Sequence, residues 1–239
     1  MVSQADYRAA WLLEAMANYS ALQYLEQSKG TAELDAALAS FRDDLSREQD
    51  GKPVESAGPV DFGERLLDNS GLNVWHAVVY EKGAWILHML HRRLGDEGFQ
   101  KLQMRMLERY ATKPISNEDF RELAAAFVPA TQPDRTLNLF FEAWIYGTGL
   151  PRMAVRKASK GVVLNLSGVD DDFTLDVPMD CQDAGGKPYV RWVRAITGDN
   201  VIDLPRHNAC ELPADTDFLR LPTDGATVNQ FPPILVPSK

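Results

Sequence analysis

The sequence predicts an α+β chain, with a helical bundle lobe over residues 1–150 and a small β-sandwich over 151–239. Three observations predict it. Before Pro151 apolar residues recur at helical spacing, after it short runs alternate apolar and polar residues, and clusters of Gly, Pro and Asp separate those runs. A chain of 239 residues, 45% of them hydrophobic, is long enough to bury cores of this size. The helical hairpins share no fixed period, which disfavours a solenoid.

Residues 5–28 carry Leu12, Met16, Tyr19, Leu22 and Leu25 at helical intervals, and Gly30 ends the run. Thr31 is expected to cap a second helix reaching Gln49, with Leu34, Leu38, Phe41 and Leu45 on one face. From Asp50 to Asn73 the composition turns to Gly, Pro, Ser and Asp, which reads as a long loop with one short strand near Val60. Loops of that length in compact domains are often functional. Val74–Leu94 is expected to be one helix stopped by Gly95, and Asp96 to cap the next, ending near Ala111. Ser116 and Asp119 form a capping-box pair for a helix through Phe127, and Leu137–Tyr146 is the last helix. The expected strands are Met153–Arg156, Val162–Leu166, Phe173–Val177, Tyr189–Val193 and Phe218–Leu221. Asp170–Asp172 reads as a solvated turn, because it lacks the further spaced oxygens and terminal Glu of a calcium loop.

Charge and cysteine usage narrow the function. The net charge of −9, with no Lys/Arg stripe interleaved with aromatics, argues against nucleic acid as a partner. No apolar run approaches the roughly 20 residues that span a bilayer, and the first 25 residues lack the pattern of a signal peptide. Compartment stays open. Cys181 and Cys210 suit either a bridge across two strands in an oxidising environment or two buried free thiols.

The stretch Trp11-Leu12-Leu13-Glu14-Ala15-Met16-Ala17-Asn18-Tyr19 sets one carboxylate in an apolar helix. Among its neighbours at three and four positions are Ala10, Ala17 and Asn18, a small-residue groove that leaves room for a metal ion or a cationic side chain to reach Glu14. A second segment, Val79-Tyr80-Glu81-Lys82-Gly83-Ala84, opens a long apolar run. Together the two resemble the aminopeptidase N-like gluzincin family of zinc metallopeptidases. That family carries a W-L-x-E-G-x-A-x-Y element whose Glu is the third zinc ligand and a Y-E-K-G element that supplies a catalytic tyrosine. The resemblance extends through Asp119-Phe120 to Trp144-Ile145-Tyr146-Gly147-Thr148-Gly149-Leu150-Pro151, about the first 155 residues. It implies zinc as the metal, Glu14 as its ligand, Tyr80 as the oxyanion donor and peptides as substrates. No residue is assigned to an organic cofactor.

The chain departs from that family in one decisive respect: it has no HExxH. His76, His88, His91 and His207 never form an i, i+4 pair with a Glu after the first, and a gluzincin site needs two imidazoles and a water-activating Glu. A helix carrying that motif is expected just upstream of Met1, its second His about nineteen residues before Glu14 by the family's spacing. Ala15 also replaces the family's Gly. The expectation is therefore the C-terminal part of a zinc aminopeptidase, inactive alone, partnered by missing N-terminal domains and prone to self-associate through an uncovered apolar face. The alternative is a non-catalytic pseudopeptidase that binds peptides or acts as a scaffold. An interaction role for the β-sandwich ranks last. Three finer expectations complete the reading. Asn18 either braces the Glu14 carboxylate or only packs its helix; Lys82 is a surface charge pointing away from Glu81; and His88 and His91 are solvated or core imidazoles rather than a metal pair.

Overall fold

The computed structural model describes residues 2–49, 51–68 and 74–221. A single 3-10 turn, Tyr7–Ala9, leads into α1 (Ala10–Lys29), and Asp6 caps it by accepting the Arg8 backbone N–H at 2.9 Å. Gly30 reverses the chain with φ +97°, a conformation that suits Gly, and its N–H donates to the Glu26 carbonyl. The reversal leaves no room for a separate cap. Gly30 itself precedes the first residue of α2 (Thr31–Ser46), and Thr31, expected as the cap, donates its hydroxyl to Glu26 instead.

Two short bridges brace this lobe. β1 (Ser3–Gln4) pairs in parallel with β4 (Pro114–Ile115), while β2 (Glu48–Gln49) and β3 (Lys52–Pro53) make a small hairpin after α2. The long loop holds no strand near Val60; it coils into 3-10 turns at Val54–Ala57 and Val60–Asp68 that carry Val54, Glu55, Val60 and Leu66 into the core. The next helix opens as a π-helix over His76–Lys82 and continues as α3 (Gly83–Tyr110). Gly95 breaks it with φ +71°, as the sequence predicts. α4 (Asn117–Ala125) has the full Ser116–Asp119 capping box, and α5 (Asn138–Phe141) runs into a second π-helical segment, Glu142–Tyr146. Buried tryptophans pin these helices together: Trp11 Nε1 donates to Asn117 Oδ1 at 2.9 Å, and Trp85 Nε1 to the Leu38 carbonyl at 3.0 Å.

After Pro151 the described strands form two antiparallel three-stranded sheets. One has the order β5 (Arg152–Ala158), β6 (Gly161–Ser167), β9 (Gly198–Asp203); the other has the order β10 (Ala209–Glu211), β7 (Thr174–Gln182), β8 (Pro188–Ile196). Cys181 and Cys210 lie directly opposite in the β7–β10 register and are joined as a disulfide. Phe173 N–H closes the Asp170–Asp172 turn on the Asp170 carbonyl. Phe218–Leu221, expected as a strand, is not one: apart from a single bridge at Leu221, it packs Phe218 against Trp144 and points the Leu219 N–H at the Met89 sulfur. Side-chain burial, not strand pairing, consumes its apolar pattern. β9 and β10 escape a hydrophobic reading because their alternation is short and largely polar.

Candidate functional site

Close contact between α1 and the start of α3 builds the site. A Cβ placed on Gly83 would lie 2.7 Å from the Ala15 Cβ and 3.6 Å from the Trp11 ring, so only Gly lets the two helices approach this far. Glu14 precedes Ala15, and Tyr80 lies one turn before Gly83. The approach therefore brings the two side chains together, and the Tyr80 hydroxyl hydrogen-bonds to the Glu14 carboxylate. That bond, helped by partial burial and the carboxylate's charge, pushes the phenol from 10.0 up to about 12.

The Tyr80 ring is held on two sides. His76 stacks on it at 5.0 Å between centroids with an 11° interplanar angle, and Trp75 meets it edge-on at 5.1 Å. Asn18, one turn after Glu14, donates to the Tyr80 backbone carbonyl at 3.0 Å. It thus braces the tyrosine's main chain, not the carboxylate. Burial pushes the Glu81 carboxyl up to about 7; its Oε1 lies 3.4 Å from His76 Nδ1, and its Oε2 has no partner among the described residues.

Lys82 is not the surface charge the sequence suggests, since its side chain is fully buried. Its Nζ donates to Glu55 Oε1 at 2.5 Å and to the Gly147 carbonyl at 3.2 Å, and both Glu55 oxygens accept the Gly149 N–H at 3.0 and 2.8 Å. A buried lysine is tolerable here because it is paired and hydrogen-bonded. The clamp joins Tyr80-Glu81-Lys82-Gly83 to the Gly147-Thr148-Gly149 turn, so the two quoted motifs meet through a loop residue. Sequence reasoning missed Glu55; its place directly after the apolar Val54 in the long loop was its only signal.

His88 is a buried imidazole and His91 a half-buried one. The Tyr19 hydroxyl lies 2.8 Å from His91 Nδ1 and 3.4 Å from His88 Nδ1, and His91 Nε2 meets Asp96 at 3.0 Å. Burial pushes His88 down to about 4. Among the described residues no three or more His, Cys, Asp or Glu converge on one point. As a donor set, Glu14 and its phenol neighbour fit one corner of a site with two imidazoles and a carboxylate, and they fall short of a complete zinc centre.

Residues 1–144 match the Peptidase family M1 domain. The chain belongs to peptidase family M1. This is a family of zinc metallopeptidases, hydrolases of the aminopeptidase class, and the aminopeptidase N-like resemblance read from the two motifs holds. Aminopeptidase N of Haemophilus influenzae is 33% identical over 109 residues, and that of Escherichia coli 32% identical over 85 residues. The matches cover 44% and 35% of this chain but only 12% and 9% of those proteins, so the chain spans about a tenth of the length of these relatives. The crystal structure of Legionella pneumophila aminopeptidase A in complex with aspartic acid aligns over 91% of this chain and 22% of its own, with a TM-score of 0.55 at 16% identity. That likeness is one of fold. No described helix is long and apolar enough to cross a membrane.

Proposed function

We propose that this chain is the C-terminal portion of a zinc-dependent aminopeptidase, in which Glu14 is the carboxylate ligand and Tyr80 the donor to the oxyanion. The observation that carries the reading is the hydrogen bond between these two side chains, which come from elements 66 positions apart and meet in an M1 domain. We read residues 1–150 as the helical lobe of the catalytic domain and 151–239, of which 222–239 lie outside the described residues, as the β-sandwich domain that follows it. Zinc, when bound, supplies a Lewis acid that lowers the pKa of a water to about 7. Glu14 would hold that ion through one carboxylate oxygen. Tyr80 would donate its hydroxyl to the charge developing on the scissile carbonyl oxygen, a role whose loss costs about a hundred- to a thousand-fold in rate. Ala15, Gly83 and Asn18 fix the spacing between the two groups.

Without HExxH the chain is inactive alone, and its substrates and partner domains are those of the larger enzyme. The groove face uncovered by that helix makes the isolated chain self-associate. The test is zinc content and aminoacyl-substrate hydrolysis of the purified chain, together with translation of the DNA upstream of the Met1 codon. We expect no tight zinc, no turnover, and an in-frame HExxH upstream. Stoichiometric zinc with turnover would overturn the claim that the site is incomplete; peptide binding without cleavage, and no HExxH upstream, would favour the pseudopeptidase.

A further inference from the structure

Strand β8 ends the sheet order β10, β7, β8, so one of its two edges meets no strand among the described residues. Contacts at its two ends fix which backbone groups that edge presents. At the hairpin the Lys187 carbonyl points inward and accepts the Asp183 N–H at 3.0 Å. At the far end the Ile196 N–H and carbonyl point outward, to the Asn200 side chain, at 3.0 and 2.8 Å. The register between those ends is unbroken. Because alternate residues of an antiparallel strand bond to the same side, Tyr189, Arg191, Val193 and Ala195 bond to β7, while Val190, Trp192 and Arg194 turn their N–H and carbonyl groups outward. The Asn200 amide gives Ile196 one donor and one acceptor, as the backbone of a further strand would.

A groove of about 680 Å³ runs beside this edge, walled by Thr131, Gln132 and Pro133 on one side and by four consecutive residues of β8, Tyr189 to Trp192, on the other. Side chains alternate between the faces of a sheet, so consecutive residues share one lining where the edge itself is presented. Gln132, Val190 and Trp192 also line a cavity of about 150 Å³ between α3 and the β7–β8 hairpin, whose apolar surface comes from Met89, Phe140, Pro178, Trp192 and Phe218. Its two α3 arginines are already engaged. Arg93 lies 3.7 Å from Asp176 with its guanidinium over the Trp192 ring, and Arg92 meets Asp217 at 3.0 Å. Two buried atoms of the same lining have no partner among the described residues, Arg93 Nε and Gln132 Oε1. The Gln132 amide is fixed, because its Nε2 donates to the Arg93 carbonyl at 2.8 Å. The unpartnered atoms are one donor and one acceptor, the complement of the two groups that a peptide unit carries.

Charge narrows the occupant. Arg191 donates to the Asp203 carbonyl at 2.8 Å and meets no carboxylate among the described residues. β8 carries Arg191 and Arg194 and no acidic residue, so a second copy of this strand would bring arginines to arginines, which disfavours self-pairing. A carboxylate on an incoming strand is attracted instead. Residues opposite Val190 or Trp192 share the face of the cavity, and those opposite Arg191 share the other face, so apolar and acidic residues alternate in the segment that fits. An apolar cavity of about 150 Å³ is the size that admits a benzene ring. We propose that the free edge of β8 binds an extended peptide segment as an added strand, with a bulky apolar side chain in the cavity and Asp or Glu beside Arg191. The surface makes no use of Glu14 or Tyr80 and is independent of the aminopeptidase reading.

The test is fluorescence anisotropy of the amidated pentapeptide VEFEV, labelled with fluorescein at its N-terminus, titrated with the whole chain. We expect saturable binding with a Kd on the order of 100 μM or tighter, and at least about tenfold weaker binding of VEAEV, which lacks the bulky side chain, and of VKFKV, which reverses the charge. Val190→Pro removes one outward N–H, leaves the β7 ladder intact and should weaken VEFEV about tenfold with the circular dichroism of the chain unchanged. Arg191→Glu should exchange the preference, so that VKFKV binds more tightly than VEFEV. Absence of saturation, equal binding of either control, an Arg191→Glu chain that still prefers VEFEV, or undiminished affinity in a folded Val190→Pro chain would each overturn the proposal. Affinity lost in Glu14→Gln and kept in Val190→Pro would overturn it in favour of the Glu14–Tyr80 groove. A dimer of the native chain that Val190→Pro dissolves, with no peptide bound, would overturn it in favour of a second copy.

Discussion

Replacing Lys82 with methionine strands the Glu55 carboxylate at a place where it is 1% exposed. In the native chain that carboxylate receives the Lys82 ammonium at 2.5 Å and the Gly149 N–H at 3.0 and 2.8 Å. The substitution removes the only positive charge among the described residues that contacts it and frees the Gly147 carbonyl of its Lys82 donor. Removing one partner of a buried pair typically destabilises by about 3–5 kcal/mol, because the remaining charge stays out of water. Methionine fills nearly the same volume as the lysine stem, so little of that loss is a cavity effect. Glu55→Gln combined with Lys82→Met leaves an amide oxygen for the Gly149 N–H and no buried charge, and should recover more than half of the loss. Urea unfolding followed by tryptophan fluorescence, with the double-mutant cycle, reads the coupling directly. A Lys82→Met chain within about 1 kcal/mol of the native one, or a double variant no better than the single, would refute the reasoning.

Four further outcomes follow from the same geometry. Glu14→Gln removes the carboxylate that favours the protonated phenol, so the Tyr80 resonance in 13C-tyrosine NMR should titrate nearer 10 than about 12; an unchanged midpoint would break the Glu14–Tyr80 pairing. Gly83→Ala forces a Cβ to 2.7 Å from Ala15 and should destabilise by about 1–3 kcal/mol, measured as a shift in urea midpoint. Reducing the Cys181–Cys210 bridge, which closes a separation of 29 residues, should lower stability by about 3.5 kcal/mol in the chain-entropy account, checked by denaturation with and without reductant. His88 and Glu81 should give opposite pH signatures. His88, at about 4 when folded against 6.5, lets the unfolded chain take up the proton first, so its contribution is present above pH 6.5 and lost as pH falls toward 4. Glu81, at about 7 against 4.5, contributes below pH 4.5 and loses that contribution as pH rises through 7. Unfolding free energies from pH 4 to 7 should therefore rise less steeply with pH in His88→Gln than in the native chain, and more steeply in Glu81→Gln.

How far the linear sequence leads depends on the range of the interaction. Helical periodicity, the Gly30 and Gly95 stops and the Ser116–Asp119 box are local, and each is legible because the physics acts within one or two turns. Glu14 and Tyr80 are legible too, although distant, because their neighbours form motifs of fixed spacing. The order of residues thus specified the helices before Pro151 and the change to strands after it, and it set Glu14 and Tyr80 within recognisable motifs. Folding in three dimensions settled the partnerships. Glu55 finds Lys82 because a coiled loop carries it into the core, Asn18 meets the Tyr80 carbonyl rather than Glu14, and Cys181 meets Cys210 because β10 pairs with β7. Phe218–Leu221 gives up its strand pattern to cover Trp144 and Met89 for the same reason. A residue's type fixes what it can bond, while desolvation and the approach of remote segments select the partner it takes.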